Sequence, residues 1–335
     1  MNNYHQKQSA LVIAAEKGNK GIMETLLENG SDINETDSLG STALHKASSK
    51  GHLDIVKFLI DNGGDFTLRD RDDNTPLYLA AAYRQKQICQ FLLECGATLK
   101  RDIALMLGNV DLVQQYLDQG MDGNHTIEQG YLKGESWLNI AIRYFHKDII
   151  NLLIQNNAMI NRRTEPNLLS PLHIASIGYK GKTDPDICEL LIFHGADVNI
   201  RDEFGRTPLY WATQLRNEDV IKILLEYGAD VNIFNYSNSM NPLFNVIQQR
   251  NKKKNNKIIK TLLSYNAELN IKNDQGLTPL HFALSQKCEP EIIKVLVSCG
   301  ADINQINPHG YSPLDIAVTY NDKDLVEFFL SHGAK

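Results

Sequence analysis

No apolar run in this chain approaches the roughly 18 residues that a membrane-spanning helix needs. Cysteine is sparse and unpatterned. The five residues, Cys89, Cys95, Cys188, Cys288 and Cys299, are odd in number, scattered and never spaced CxxC. Such usage supports neither a disulfide framework nor a zinc site and points to reduced thiols inside a cell. The sequons at Asn34, Asn124 and Asn235 are then expected to carry no glycan, because that modification belongs to the secretory pathway. The opening MNNYHQKQSALVIAAEKG lacks the apolar core and small-residue cleavage site of a signal peptide. An intracellular protein is expected, in its own cytoplasm or in that of a host. A net charge of −6 is too mild to draw the chain as a whole onto nucleic acid or anionic lipid. What is present, 42% apolar and 22% charged residues over 335 positions, suits a folded rather than a disordered chain.

The organisation emerges from self-similarity. ENGSDIN, DNGGDFT, ECGATLK, DQGMDGN, NNAMIN, FHGADVN, EYGADVN, YNAELN, SCGADIN and SHGAK are versions of one element. Their glycine slot falls at residues 30, 63, 96, 120, 157, 195, 228, 266, 300 and 333, with Asn157 and Asn266 substituting. Successive differences are 33, 33, 24, 37, 38, 33, 38, 34 and 33. The base period is 33, and the deviations are local.

One full unit explains itself physically. Thr207-Pro208 sets a hydroxyl at a helix N-cap and a proline at the first helical position, where its missing N–H costs nothing. Leu209 and Ala212 point inward, and the small alanine lets neighbouring helices approach. EDVIKILLEYG follows, with Val220, Ile223, Leu224 and Tyr227 at helical spacing. Gly228 supplies a left-handed residue that ends the helix. Such a unit cannot bury its apolar face alone, whereas stacked copies can.

STALHKA, NTPLYLA, LSPLHIA, RTPLYWA, LTPLHFA and YSPLDIA, with GHLDIVKFLIDNG as a second helix, resemble the TPLHxA signature of the ankyrin-repeat family. The resemblance implies an all-α solenoid of stacked helix pairs with β-hairpin fingers, binding proteins on a concave face of fingertips and first helices. A polar tail at 1–8 would precede a single solenoid at 9–335. Its ten units would lie at about 9–34, 35–67, 68–100, 101–124, 125–161, 162–199, 200–232, 233–270, 271–304 and 305–335. The family's contact positions map onto Arg71, Tyr83, Lys133, Glu135, Arg143, Tyr144, Phe204, Arg206, Leu215, Met240, Tyr311 and Tyr320. Trp211 is read as core or groove floor.

One unit departs from the rest. From the residue after the glycine to the helix-one alanine, regular units take 16 residues (Ala196 to Ala212), but Ala97 to Ala104 takes 7 and Met121 to Ala141 takes 20. A finger is deleted and its neighbour enlarged, which predicts a notch near residue 100 that a partner could enter. Two further insertions, GYKGKTDPD and QRNKKKNNK, fall between the two helices of their units. They place a basic patch at Lys180, Lys182, Lys252, Lys253 and Lys254.

Candidate chemistry is thin. GYKGKT has two residues between its glycines where a phosphate loop needs four, and lies in an inter-helix turn. His45, His173 and His281 recur at the repeat period, which predicts structural imidazoles rather than a metal site. Asn34, Asn161, Asn199, Asn232, Asn270 and Asn304 are expected to close a turn. No nucleophile–base–acid set appears, so neither enzyme activity nor a cofactor is expected. The reading is a monomeric adaptor or scaffold that recognises one or more proteins. The alternatives are an effector or immunity-type inhibitor that occludes an enzyme, and a nucleic-acid or phospholipid binder using the basic turns. A steep salt dependence would mark that binder, but the lack of a broad basic face argues against it.

Overall fold

A computed structural model describes residues 9–179, 181–249 and 252–335, and these contain twenty α-helices. They fall into two compact units, one ending at Met159 and the other beginning at Ile160. In the first unit the helices Ala10–Lys17, Ala43–Lys50, Pro76–Ala82, Arg101–Leu107 and Trp137–Tyr144 pack in sequence against one another. In the second, the corresponding row is Pro171–Ile177, Pro208–Leu215, Pro242–Gln248, Pro279–Ser285 and Pro313–Thr319. Each first helix is paired with the helix that follows it in the chain. None of the described helices is long and apolar enough to cross a membrane.

Local chemistry explains the boundaries. Nine of the ten described first helices open on a Thr, Ser or Asn in extended conformation whose side-chain oxygen accepts an N–H three residues on, as Thr207 does from Tyr210 at 3.2 Å. The row's alanines (Ala47, Ala104, Ala141, Ala212, Ala283 and Ala317) are wholly buried and let helices approach closely. Second helices contribute the larger core residues, such as Ile55 and Leu59, or Val220 and Leu224. Tyr227, at the end of that face, stays about half exposed. The residue ending each second helix is left-handed, and Asn157 (φ 61°) and Asn266 (φ 63°) take that conformation where glycine is absent.

Two expectations change. The fingers are tight turns, with single bridges at Thr36–Thr42, Thr126–Ser136 and Thr164–Leu169, in place of ribbon-like hairpins. A carboxylate or amide closes most tips: Asp202 Oδ1 accepts from Phe204 and Arg206 N–H, both at 2.9 Å. The KKKNNK stretch is not a turn, because it begins the 13-residue helix Lys252–Ser264. The tail at 1–8 lies outside the described residues.

Candidate interaction surface

Two kinds of bond tie one helix pair to the next. Thr42 Oγ1 meets His45 Nδ1 at 2.8 Å, and the far ring nitrogen pairs with the Asn74 carbonyl of the next finger at 3.0 Å. Ser170 and His173 repeat this, with the Arg206 carbonyl at 2.9 Å. Burial holds His45, His173 and His281 below the ordinary imidazole pKa, so these are neutral structural rings. The asparagines form the second tie and do more than close a turn. Asn199 Oδ1 accepts the Asp230 N–H at 2.8 Å, and Asn34, Asn161, Asn232, Asn270 and Asn304 each accept one from the following repeat in the same way.

Both ties change where the finger is deleted. Lys100 stands in the asparagine slot, and it opens Arg101–Leu107 without a side-chain cap. Tyr78 stands in the histidine slot, with no finger from the next pair to meet. The enlarged finger that follows crosses over and takes that place. Tyr131 donates its N–H to Asn74 Oδ1 at 3.0 Å, and Leu132 donates its own to the Tyr78 hydroxyl at 3.2 Å. Leu132, Asn74 and Tyr78 are all buried, and burial pushes the Tyr78 phenol up to about 12. Gly130, at φ 83°, comes so close that a Cβ would lie 2.9 Å from both Asn74 Oδ1 and Tyr78 Cζ.

The opposite edge is bridged as well. In regular pairs a turn side chain reaches back to the preceding first helix, as Gln85 Nε2 does to the Ser49 carbonyl at 3.3 Å. Asn109 instead caps its own helix. Tyr144, one pair further on, donates its hydroxyl to the Ala82 carbonyl at 2.8 Å. Arg84 donates to the Arg143 carbonyl, with its guanidinium 4.9 Å from the Tyr144 ring centre. The expected notch is therefore filled. What remains near Thr98 and Lys100 is a hollow of 150 Å³.

The predicted contact residues separate accordingly. In the first unit Arg71, Tyr83 and Lys133 are exposed, and Tyr83 and Tyr131 meet with ring centres 6.0 Å apart. Glu135 and Arg143 are half-buried and paired with each other at 2.7 Å, and Tyr144 belongs to the bridge. In the second unit Arg206 pairs with buried Asp202 at 2.8 Å. Its guanidinium lies 4.6 and 4.1 Å from the Phe204 and Trp211 ring centres, and Trp211 Nε1 donates to Asp202 at 3.0 Å. Phe204 and Leu215 stay exposed. Met240 needs correcting as a contact: it is buried, its backbone closing the finger turn on Asn235. Tyr311 and Tyr320 are exposed (50% and 44%) and line a 690 Å³ cleft with Leu277 and His309. Lys182 is exposed; Lys180 and the side chains of Lys252, Lys253 and Lys254 lie outside the described residues. The aspartate and asparagine turns at the fingertips escaped sequence reasoning, although Asp37, Asp70, Asp202, Asn273 and Asn307 mark them.

Known proteins agree with this geometry. A family model described as ankyrin repeats (3 copies) matches residues 11–103, 101–202, 172–254 and 250–335. An ankyrin repeat protein of fowlpox virus (strain NVSL) is 33% identical over 113 residues, which is 33% of this chain and 30% of that protein. The chain thus aligns with under a third of the length of that relative. Helix pairs capped by Thr-Pro, tied by buried histidines and matched by the family model from residue 11 to 335 lead to one assignment: the chain belongs to the ankyrin-repeat family.

Proposed function

We propose that the chain is a monomeric scaffold or adaptor that recognises a protein on its finger and first-helix face. Ankyrin repeats are in general protein-interaction modules and typically non-catalytic. The observation that carries the proposal is the cleft around Tyr311 and Tyr320. Both residues are about half exposed, and both belong to the residue types that dominate interface hot spots. Leu277 and His309 extend the same surface. A pre-formed surface of this kind binds with little ordering cost.

The test is a photo-crosslinking amino acid placed at 311 and, as a control, at exposed Lys222 on a second helix. A discrete protein adduct from position 311 alone is the expected result. Adducts of equal yield from both positions, or from 222 only, would remove the finger face as the binding surface.

A further inference from the structure

A second cleft, of 660 Å³, lies in the first unit at the edge where helix turns gather. Its floor is apolar: Leu93 from the helix Lys86–Glu94, with Met106 and Leu107 from the end of Arg101–Leu107. Tyr144, the residue that bridges to Ala82, forms one wall. The hollow thus lies where one pair reaches over its truncated neighbour.

The rim is cationic although the chain as a whole carries −6. Arg84 and Lys86 stand close enough to His146 to add to the burial that holds its imidazole below the ordinary value, and Asp148 opposes them. Lys86 is exposed and makes no ion pair among the described residues. One carboxylate, Glu94, also lines the cleft, held by Gln90 Nε2 at 2.9 Å, and Arg84 and Lys86 outnumber it. An apolar floor beneath an unneutralised ammonium selects a ligand with large apolar side chains and a carboxylate beside them. Helices and turns make up the whole lining, leaving no strand edge on which an extended peptide could add a strand, so a helix laid in the groove is the geometry that fits.

We propose that this cleft docks an acidic amphipathic helix of a partner protein, with its carboxylate at Lys86 and its apolar face on Leu93, Met106 and Leu107. Its lining shares no residue with the Tyr311 and Tyr320 cleft, so the two sites can be lost independently.

The experiment titrates the full chain with two short helical peptides sharing one Leu/Phe face, one flanked by Glu and the other by Lys. The expected result is that the Glu peptide binds at least about tenfold tighter and moves the His146 ring signals while leaving those of His309 in place. Lys86→Glu, a surface change, should abolish the preference, and Leu93→Ser should weaken both peptides. Equal affinities, binding by neither peptide at millimolar concentration, or a preference that survives Lys86→Glu would overturn the proposal. So would dodecanoate occupying the cleft more tightly than the Glu peptide, which would make a free anionic amphiphile the ligand. Loss of the cleft to self-association as chain concentration rises would assign it to a second copy and also overturn the proposal.

Discussion

The two units solve one problem in different ways. In the second, each helix pair is joined to its successor by the same asparagine rung, from Asn161 through Asn199, Asn232 and Asn270 to Asn304. In the first, the asparagine rung is absent at Thr67 and Lys100, and around Lys100 contacts skip a pair: Tyr131 and Leu132 to Asn74 and Tyr78, and Tyr144 to Ala82. A repeat array is ordinarily a sum of nearest-neighbour terms. The difference teaches that a deletion in one repeat can be absorbed by an insertion in the next, provided the recipient surface changes too.

The largest test of this contrast removes the crossing finger. Replacing 128–134 with a short glycine turn should destabilise the first unit by about 3 kcal/mol, from re-exposing Leu132 and losing two hydrogen bonds. Hydrogen exchange should quicken at 101–118 while the second unit is unchanged. If 101–118 keeps its protection, the finger is not a brace.

Next in size is Tyr78→Phe, which strands the buried Leu132 N–H and should cost about 1–2 kcal/mol. The matched change in the second unit is Tyr210→Phe, whose hydroxyl bonds Asn235 of the adjoining finger and reaches no skipped pair. Hydrogen exchange at 128–134 should quicken with Tyr78→Phe, and no quickening there would erase the distinction between the units.

Acid should act on both units alike. His45 and His146 in the first unit, and His173 and His281 in the second, are held below the ordinary value by burial. As pH falls below about 6.5 the unfolded chain takes up protons before the folded one, so stability declines with falling pH until the folded-state values are passed. Denaturant midpoints measured from pH 8 to pH 5 check this. A midpoint that stays flat or rises across the range would contradict it.

The smallest effect is expected at the exposed tyrosines. Tyr311→Ala with Tyr320→Ala should change stability by no more than about 0.5 kcal/mol while removing the crosslinked adduct. A marked loss of stability would show that these rings are packing elements.

Much of this was legible from residues. The slot at 30, 63 and 96 gave the period, Thr-Pro gave the helix starts, and asparagine at 157 and 266 gave left-handed ends, because each is a local rule with a local cause. The destination of the enlarged finger was not legible, since it joins residues 54 and 57 positions apart across an intervening pair. A hint existed: tyrosine replaces histidine at 78, immediately before the deletion, and its longer side chain reaches what an imidazole could not. Met240 misled because its finger closes on Asn235 with Ser239 at φ 44°, a turn one residue longer than its neighbours make. The charged residues Glu135, Arg143 and Arg206, expected as contacts, are a different case. Their partners lie within the same fold, and composition cannot distinguish an ion pair made at home from one offered to a stranger.

The skipped-pair bridge also has a mechanical side. An ordinary array pulled from its ends peels repeat by repeat, each release needing only its own small force. Bonds that run from the crossing finger and Tyr144 back to residues 74–82 put three pairs in parallel under load. The middle one cannot unravel until the outer two let go, so this stretch would extend in one long step at higher force, as a stiff segment spliced into a spring.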